Sequence, residues 1–252
     1  MRRVVKGIAD IVFPSRCAIC GVVLKTDKNL PFCYTCFSRI NLIQSPLCTR
    51  CGIPFSGHDT GDHLCGDCLT SEVYFSEARA VGRYETTMLE AIHRFKYRGN
   101  TSVGKNLGKL MADFACQALD INDYSLIMPA PLHPKRLRER GFNQSVILAR
   151  AISERFSIVL DFTTLRRRIN TKPQVSLGKK ERELNVRGVF EVSDEGKIRG
   201  EKIIIVDDVY TTGSTVKECA RVLAAGKAAK VAVLTIARAV QSYSGSDISD
   251  QG

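Results

Sequence analysis

At 252 residues, 44% hydrophobic and 25% charged, the chain has the balance of a folded protein with room for one large domain or two modest ones. No uninterrupted apolar run approaches the roughly 18 residues that a membrane-spanning helix needs, which argues against an integral helical membrane protein. A formal charge of +11 suits phosphate-bearing partners and equally a solvated surface, while 7% aromatic residues and no tryptophan leave little for a stacking platform.

The first stretch, "MRRVVKGIADIVFP" (1–14), opens basic and turns apolar. Its apolar part carries Asp10 and lacks a small-residue cleavage site, so it predicts a short amphipathic lead-in helix and not a secretory leader. Residues 15–72 are punctuated by cysteine. Cys17, Cys20, Cys33 and Cys36 form two Cys-x-x-Cys pairs with 12 residues between them, and Cys48, Cys51, Cys65 and Cys68 form two more with 13 between. In a chain read as cytosolic, such pairs argue for metal and against disulfides. Each Cys-x-x-Cys turn aims two thiolates at one ion, and two turns complete a tetrahedral shell with no open position. That is the pattern of structural zinc, expected to contribute on the order of 10 kcal/mol per site to folding so small a segment. Sequential pairing is preferred because each quartet is compact, and cross-braced pairing stays open. His58 and His63 are read as bystanders, and Cys116 and Cys219 as core residues on helical patterns. Two dications held by eight thiolates lower the charge by four, to about +7.

From 73 to 240 the composition is that of alternating strands and helices. "EARAVGRYETTMLEAIHRFKYRG" (77–99) opens as a strand and continues as a helix with Met88, Leu89, Ile92 and Phe95 at helical spacing. A helix over 103–119, a strand over 124–132, a basic loop "HPKRLRERGFNQS", a helix over 146–156 and a strand or loop around 158–165 follow. The stretch 166–190 is long, polar and basic, the kind of loop that is functional or disordered. "KIIIVDDV" is a strand, "STVKECARVLAAG" a helix and "KVAVLTIARAV" a strand, with a disordered polar tail at 241–252. This alternation predicts an α/β fold with a mostly parallel sheet and helices on both faces. Residues 133–187 hold 14 Lys or Arg against five Asp or Glu, a concentration that suits phosphates or is simply a solvated face.

The densest chemical signal is "IIIVDDVYTTGST" (203–215). A strand ending on two acids runs into small hydroxyl residues around Gly213 at a helix start, where backbone N–H groups and the helix dipole favour an anion. It is neither a nucleotide-triphosphate loop nor a dinucleotide fingerprint. Acids before an anion cup fit a ligand carrying both a diol and a phosphate, as a ribose 5-phosphate does.

The apolar run, Asp207-Asp208 and Thr212-Gly213-x-Thr215 resemble the signature of type I phosphoribosyltransferases. With the cysteine pairs, "FKYRGN", "PLHPKRLRERGFNQS" and "RRRINTKPQ…RELNVRGVF", the chain resembles the competence protein F (ComF) family over residues 10–238. The resemblance implies a type I phosphoribosyltransferase sheet preceded by a small double zinc-ribbon domain. It implies Asp207 and Asp208 as the catalytic acids on the ribose hydroxyls. Phosphoribosyl pyrophosphate, with Mg2+, would be bound along Val209, Tyr210, Thr211, Thr212, Gly213, Ser214 and Thr215. His133, Lys135 and Arg136 occupy the place of the pyrophosphate loop. Arg166, Arg167, Thr171 and Gln174 occupy the hood, and Lys96, Tyr97 and Arg98 the entrance. It further implies support of DNA uptake in natural transformation, beside single-stranded DNA and a membrane-associated helicase, in the cytoplasm at the inner membrane face. Three alternatives stay open: a non-catalytic sensor of phosphoribosyl pyrophosphate, a single-stranded-DNA-binding module, and a nucleobase-salvage enzyme.

Overall fold

The structure, a computed structural model, describes residues 16–17, 19–24, 32–56, 61–97, 99, 101–171, 181 and 185–240. The expected lead-in helix at 1–14, the tail at 241–252, His58, Arg98 and Gln174 lie outside the described residues.

Five strands form a wholly parallel sheet in the order β1 (Glu77–Arg83), β7 (Lys230–Arg238), β6 (Lys202–Tyr210), β2 (Leu126–Pro129), β3 (Val159–Leu160). Strands covered on both faces read as continuous apolar runs, and β6 shows how its residues are shared out. Ile204 and Val206 join the cluster on one face and Ile203 and Ile205 the cluster on the other, following the two-residue period of a strand. On the first face pack α3 (Thr86–Tyr97), α4 (Thr101–Ala118) and α6 (Gln144–Phe156), contributing Ile92, Phe95, Leu107, Met111 and Leu148. On the second lies α7 (Ser214–Ala225), with Val216, Cys219 and Leu223.

The stretch 133–145, expected as a loop, instead contains α5 (Pro134–Arg140). Its start and stop signals are present: Nδ1 of His133 accepts the Lys135 amide at 3.2 Å, proline opens the first turn, and Gly141 closes it at φ +81°. Leu137 is its only large apolar residue, so no periodic stripe betrays it in the sequence. The ends of the basic segment are joined by an antiparallel pair, β4 (Leu165–Arg167) with β5 (Phe190–Val192). Beside that pair, the Gly188 amide donates to Glu218 of α7 at 2.8 Å.

The cysteine-rich segment carries two short helices, α1 (Tyr34–Phe37) and α2 (Gly66–Thr70), and lies along the outer side of β1. Ala78 N donates to Arg50 O (2.6 Å), Ile43 N to Val81 O (3.1 Å) and Arg83 N to Asn41 O (2.8 Å). Gly52, at φ +71°, permits this approach: a Cβ there would stand 2.3 Å from the Ala78 carbonyl oxygen.

Candidate functional site

Strand β6 delivers its last residues to a cavity of about 370 Å³ at the carboxyl ends of the sheet strands, where ligands of open α/β sheets bind. Asp207 and Asp208 line it together with Val209, Tyr210, Thr211, Gly213, Ser214 and Thr215. Gly213, at φ +75°, is the N-cap of α7 and offers no side-chain cap, so the helix dipole points into the cavity. Its missing side chain serves the packing below: a Cβ would meet Tyr210 Cζ and Oη at 2.3 Å. Thr212 does not line the cavity, but its hydroxyl hydrogen-bonds that of Ser214.

The two acids differ. Asp207 Oδ1 accepts from the Ser145 hydroxyl at 3.0 Å and from the Asp208 amide at 2.9 Å. Burial, and then the neighbouring charge of Asp208, push its carboxyl up to about 7, against the opposing pull of those donors and Lys96. Asp208, 5% exposed, pairs through Oδ1 with Lys96 Nζ at 2.9 Å. Burial pulls Lys96 down, but the facing Asp208 and then Asp207 more than offset it, leaving the ammonium above its ordinary range. Asp208 Oδ2 is buried without a hydrogen-bond partner, and so is Gln144 Oε1, another atom of a cavity-lining side chain. Unsatisfied buried acceptors are costly in a finished core and natural where a ligand supplies the donor.

Arg136, Arg140 and Arg167 also line the cavity. Burial, and then the like charge of Arg136, hold Arg167 below its ordinary value, against the opposing pull of Asp207. Tyr84, His93 and Tyr97 add rings to the wall beside Ala130, Pro131 and Leu132. Tyr84 Oη lies 3.1 Å from His93 Nε2, His93 meets Tyr97 edge-on at 5.5 Å, and the Arg140 guanidinium stands 5.8 Å from the Tyr97 ring.

The sulfurs of Cys17, Cys20, Cys33 and Cys36 lie within 4.8 Å of one another, and so do those of Cys48, Cys51, Cys65 and Cys68. The pairing is therefore sequential. Cys20 to Cys33 is 3.6 Å and Cys51 to Cys65 is 3.7 Å, close to the separation of about 3.8 Å expected for four sulfurs at about 2.3 Å from one tetrahedral ion. Amides of Cys51 and Cys65 donate to Cys48 Sγ at 3.4 and 3.3 Å, the contacts a thiolate ligand wants. Both quartets fit structural zinc.

Comparison with known proteins agrees with this geometry. Residues 8–69 match the family model described as a double zinc ribbon domain, and residues 143–250 that of a phosphoribosyl transferase domain. The competence protein ComFC of Bacillus subtilis (strain 168) is 31% identical over 225 residues, 86% of this chain and 87% of that protein. The chain belongs to the competence protein F family. Another relative of the chain, the DNA utilization protein YhgH of Escherichia coli (strain K12), is 30% identical over 232 residues, 90% of this chain and 99% of that one. Among solved structures, a Bacillus subtilis glutamine phosphoribosylpyrophosphate amidotransferase complexed with ADP and GMP overlaps at TM-score 0.37 and 21% identity. It covers 54% of this chain and 26% of that one, and the overlap adds nothing to the assignment.

Of the residues singled out in the sequence of this competence protein F relative, the cavity gathers the Asp pair, most of the turn after it, Lys96, Tyr97, Arg136 and Arg167. His133 and Lys135 do not line it, and the His133 ring is engaged in capping its own helix. Arg166 points Nε to the Thr163 carbonyl, and Thr171 receives Arg167 Nη2 at 2.6 Å without lining the cavity. Tyr84, His93, Arg140, Gln144 and Ser145 escaped the sequence reading. The motif "RGFNQS" placed Gln144 and Ser145 within reach of it, whereas nothing in the sequence marks Tyr84 or His93.

Proposed function

We propose that this chain binds phosphoribosyl pyrophosphate with Mg2+ and transfers its phosphoribosyl group, in support of DNA uptake. The observation that carries the reading is the pairing, in one cavity, of the partnerless buried Asp208 Oδ2 with the N-terminus of α7, whose N-cap Gly213 has no side chain to offer. The first calls for a hydroxyl donor and the second for an anion, and a ribose 5-phosphate supplies both. In this reading Asp207 and Asp208 accept from the ribose hydroxyls, the turn Thr211–Thr215 receives the 5-phosphate, and Arg136 and Arg167 meet the pyrophosphate. Magnesium bound beside the acids would supply charge neutralisation for the leaving group.

The reaction breaks the bond from C1 of the ribose to pyrophosphate, whose oxygen keeps the electron pair. An acceptor nitrogen donates its lone pair to C1 and releases its proton to solvent. The carboxylates favour the cationic sugar that develops and the guanidiniums the departing anion. Tyr84, His93 and Tyr97 offer ring faces to a planar acceptor.

The reading places the boundary between zinc-ribbon and phosphoribosyltransferase domains near residue 72 and the protein in the cytoplasm. Among the described residues no helix is long and apolar enough to cross a membrane, so attachment at the membrane face would pass through a partner such as a helicase. The names of the relatives, competence protein and DNA utilization protein, support a role around DNA.

The test is twofold. Phosphoribosyl pyrophosphate with Mg2+ should raise the melting temperature of the wild type and leave Asp207→Asn/Asp208→Asn unmoved; an equal shift in both defeats the site. Pyrophosphate release across candidate bases and amines, with and without single-stranded DNA, then separates an enzyme from a sensor that binds without turnover.

A further inference from the structure

We propose that Arg238 is a positioning residue that ties the metal site of the second ribbon to the anion-binding turn after β6. Metal held by Cys48, Cys51, Cys65 and Cys68 then sets how well that turn is formed and how tightly it holds a phosphorylated ligand. The ligand named here rests on the phosphoribosyl reading above, and the linkage itself rests on the fold.

Arg238 ends β7 and is 6% exposed, an unusual place for a guanidinium that no carboxylate among the described residues pairs with. Its Nη1 donates to the Cys51 carbonyl at 2.7 Å and its Nη2 reaches Cys51 Sγ at 3.5 Å. The face of the same guanidinium lies 4.1 Å from the centroid of the Tyr210 ring. Tyr210, 3% exposed, in turn fills the space under Gly213, where no Cβ would fit. Two side chains therefore separate a metal ligand from the turn at the mouth of α7, although Cys51 and Arg238 are 187 residues apart in the chain.

The charge explains why the arrangement needs the ion. Four thiolates around one dication carry a net charge of −2, and a buried guanidinium beside them is compensated. Without the metal nothing draws the four cysteines to one point, and the Cys51 carbonyl and sulfur that Arg238 meets lose their fixed place. Breaking such a pair is far costlier than never having built it. The guanidinium must then turn toward water, and the ring it holds moves from under Gly213. Among the described residues no hydrogen bond or ion pair joins Cys17, Cys20, Cys33 or Cys36 to the cavity; Cys17 and Cys36 belong to the apolar cluster that holds Met88 and Phe95, so the first ribbon lacks this polar link. Coupling between two sites is reciprocal, so a ligand in the turn must also tighten metal at the second ribbon.

The experiment compares the full-length wild type with Arg238→Met, Cys65→Ser and Cys20→Ser. Arg238→Met keeps the stem volume, Cys65→Ser empties the second quartet without touching Cys51, and Cys20→Ser disturbs the first. Zinc content is counted in each. Amide hydrogen exchange over 207–215 is read without ligand, and affinity for phosphoribosyl pyrophosphate with Mg2+ by calorimetry. Arg238→Met and Cys65→Ser should speed exchange in that segment and weaken binding about tenfold, while Cys20→Ser stays within about twofold of wild type. In the wild type, ligand should slow the loss of one of the two zinc ions to a chelator, and in Arg238→Met it should not. Unchanged exchange over 207–215 in Arg238→Met, or equal loosening by Cys20→Ser and Cys65→Ser, overturns the proposal. If Cys65→Ser does not fold, stepwise chelation of the wild type replaces it, and loosening that tracks the first zinc lost from the first ribbon is equally fatal. A wild type that binds no ligand defeats the phosphoribosyl reading, while the exchange comparison still decides the linkage.

Discussion

Lys96 Nζ sits 2.9 Å from Asp208 Oδ1, with side chains only 16% and 7% exposed, so the second acid of the site, on β6, is held by a cation from helix α3. Replacing Lys96 by Met leaves a buried carboxylate with neither oxygen compensated. Lys96→Met should cost about 3–5 kcal/mol in denaturant unfolding, and adding Asp208→Asn should recover much of that loss. The ammonium titrates above its ordinary value in the folded chain, so its contribution is full below about pH 10.5 and fades as pH rises through the folded value. A Lys96→Met chain as stable as wild type at pH 7 contradicts the pairing.

Asp207 behaves in the opposite sense to most carboxylates. Raised from 3.8 to about 7, it keeps in the folded chain a proton that the unfolded chain has already released. Folding is therefore favoured on the acid side, and stability declines as pH climbs from about 4 to about 7. Asp207→Asn retains an oxygen for Ser145 and the Asp208 amide but cannot ionise. At pH 8 it should be more stable than wild type, by up to about 4 kcal/mol at about 1.4 kcal/mol for each pKa unit between 3.8 and about 7, with the gain vanishing near pH 4. Ligand affinity should move the other way, rising through pH 7 in wild type and losing that step in Asp207→Asn. Parallel melting curves from pH 4 to 8 refute this.

Gly213→Ala combines a left-handed backbone with a methyl group 2.3 Å from Tyr210 atoms and should cost about 2–4 kcal/mol. Gly200→Ala provides the control. Its φ is +77°, yet nothing lies within 4 Å of its added methyl, so it should cost about 1 kcal/mol. Equal melting temperatures for the two variants show that Tyr210 does not fill the floor of the turn.

Elemental analysis should find two zinc ions per chain, one for each quartet. Chelation should remove on the order of 10 kcal/mol of folding free energy at each site and loosen the cysteine-rich segment first. A chelated chain with an unaltered circular dichroism spectrum and amide protection over residues 32–70 speaks against both sites.

What the sequence disclosed was whatever lies close together along the chain. The run of isoleucines in β6, the acids at its end, the glycine before α7 and the cysteine quartets are local signals, and the fold uses each where the pattern implies. Sequential pairing of the quartets was legible for the same reason, because 12 and 13 residues close a small loop at little entropic cost. The contacts that make the site work are not local. Lys96 finds Asp208 across α3 and β6, and Ser145 finds Asp207 only because α6 starts beside the end of β6. Arg238 reads as one more residue of an apolar strand until Cys51 is brought against it. Helix α5 was hidden for another reason: seven residues with one leucine have no face to bury, and its caps alone define it.

Strand β1 is the rim of the sheet, and the amide bonds from Ala78, Ile43 and Arg83 fasten the cysteine-rich segment along its otherwise free side. That segment is thus a guard against self-association. A chain cut back to begin at β1 would present a row of unpaired N–H and C=O groups to any passing strand, and such exposed rims recruit copies of themselves. Insolubility of such a truncated chain would follow from the bared rim even where the rest of the fold stays intact.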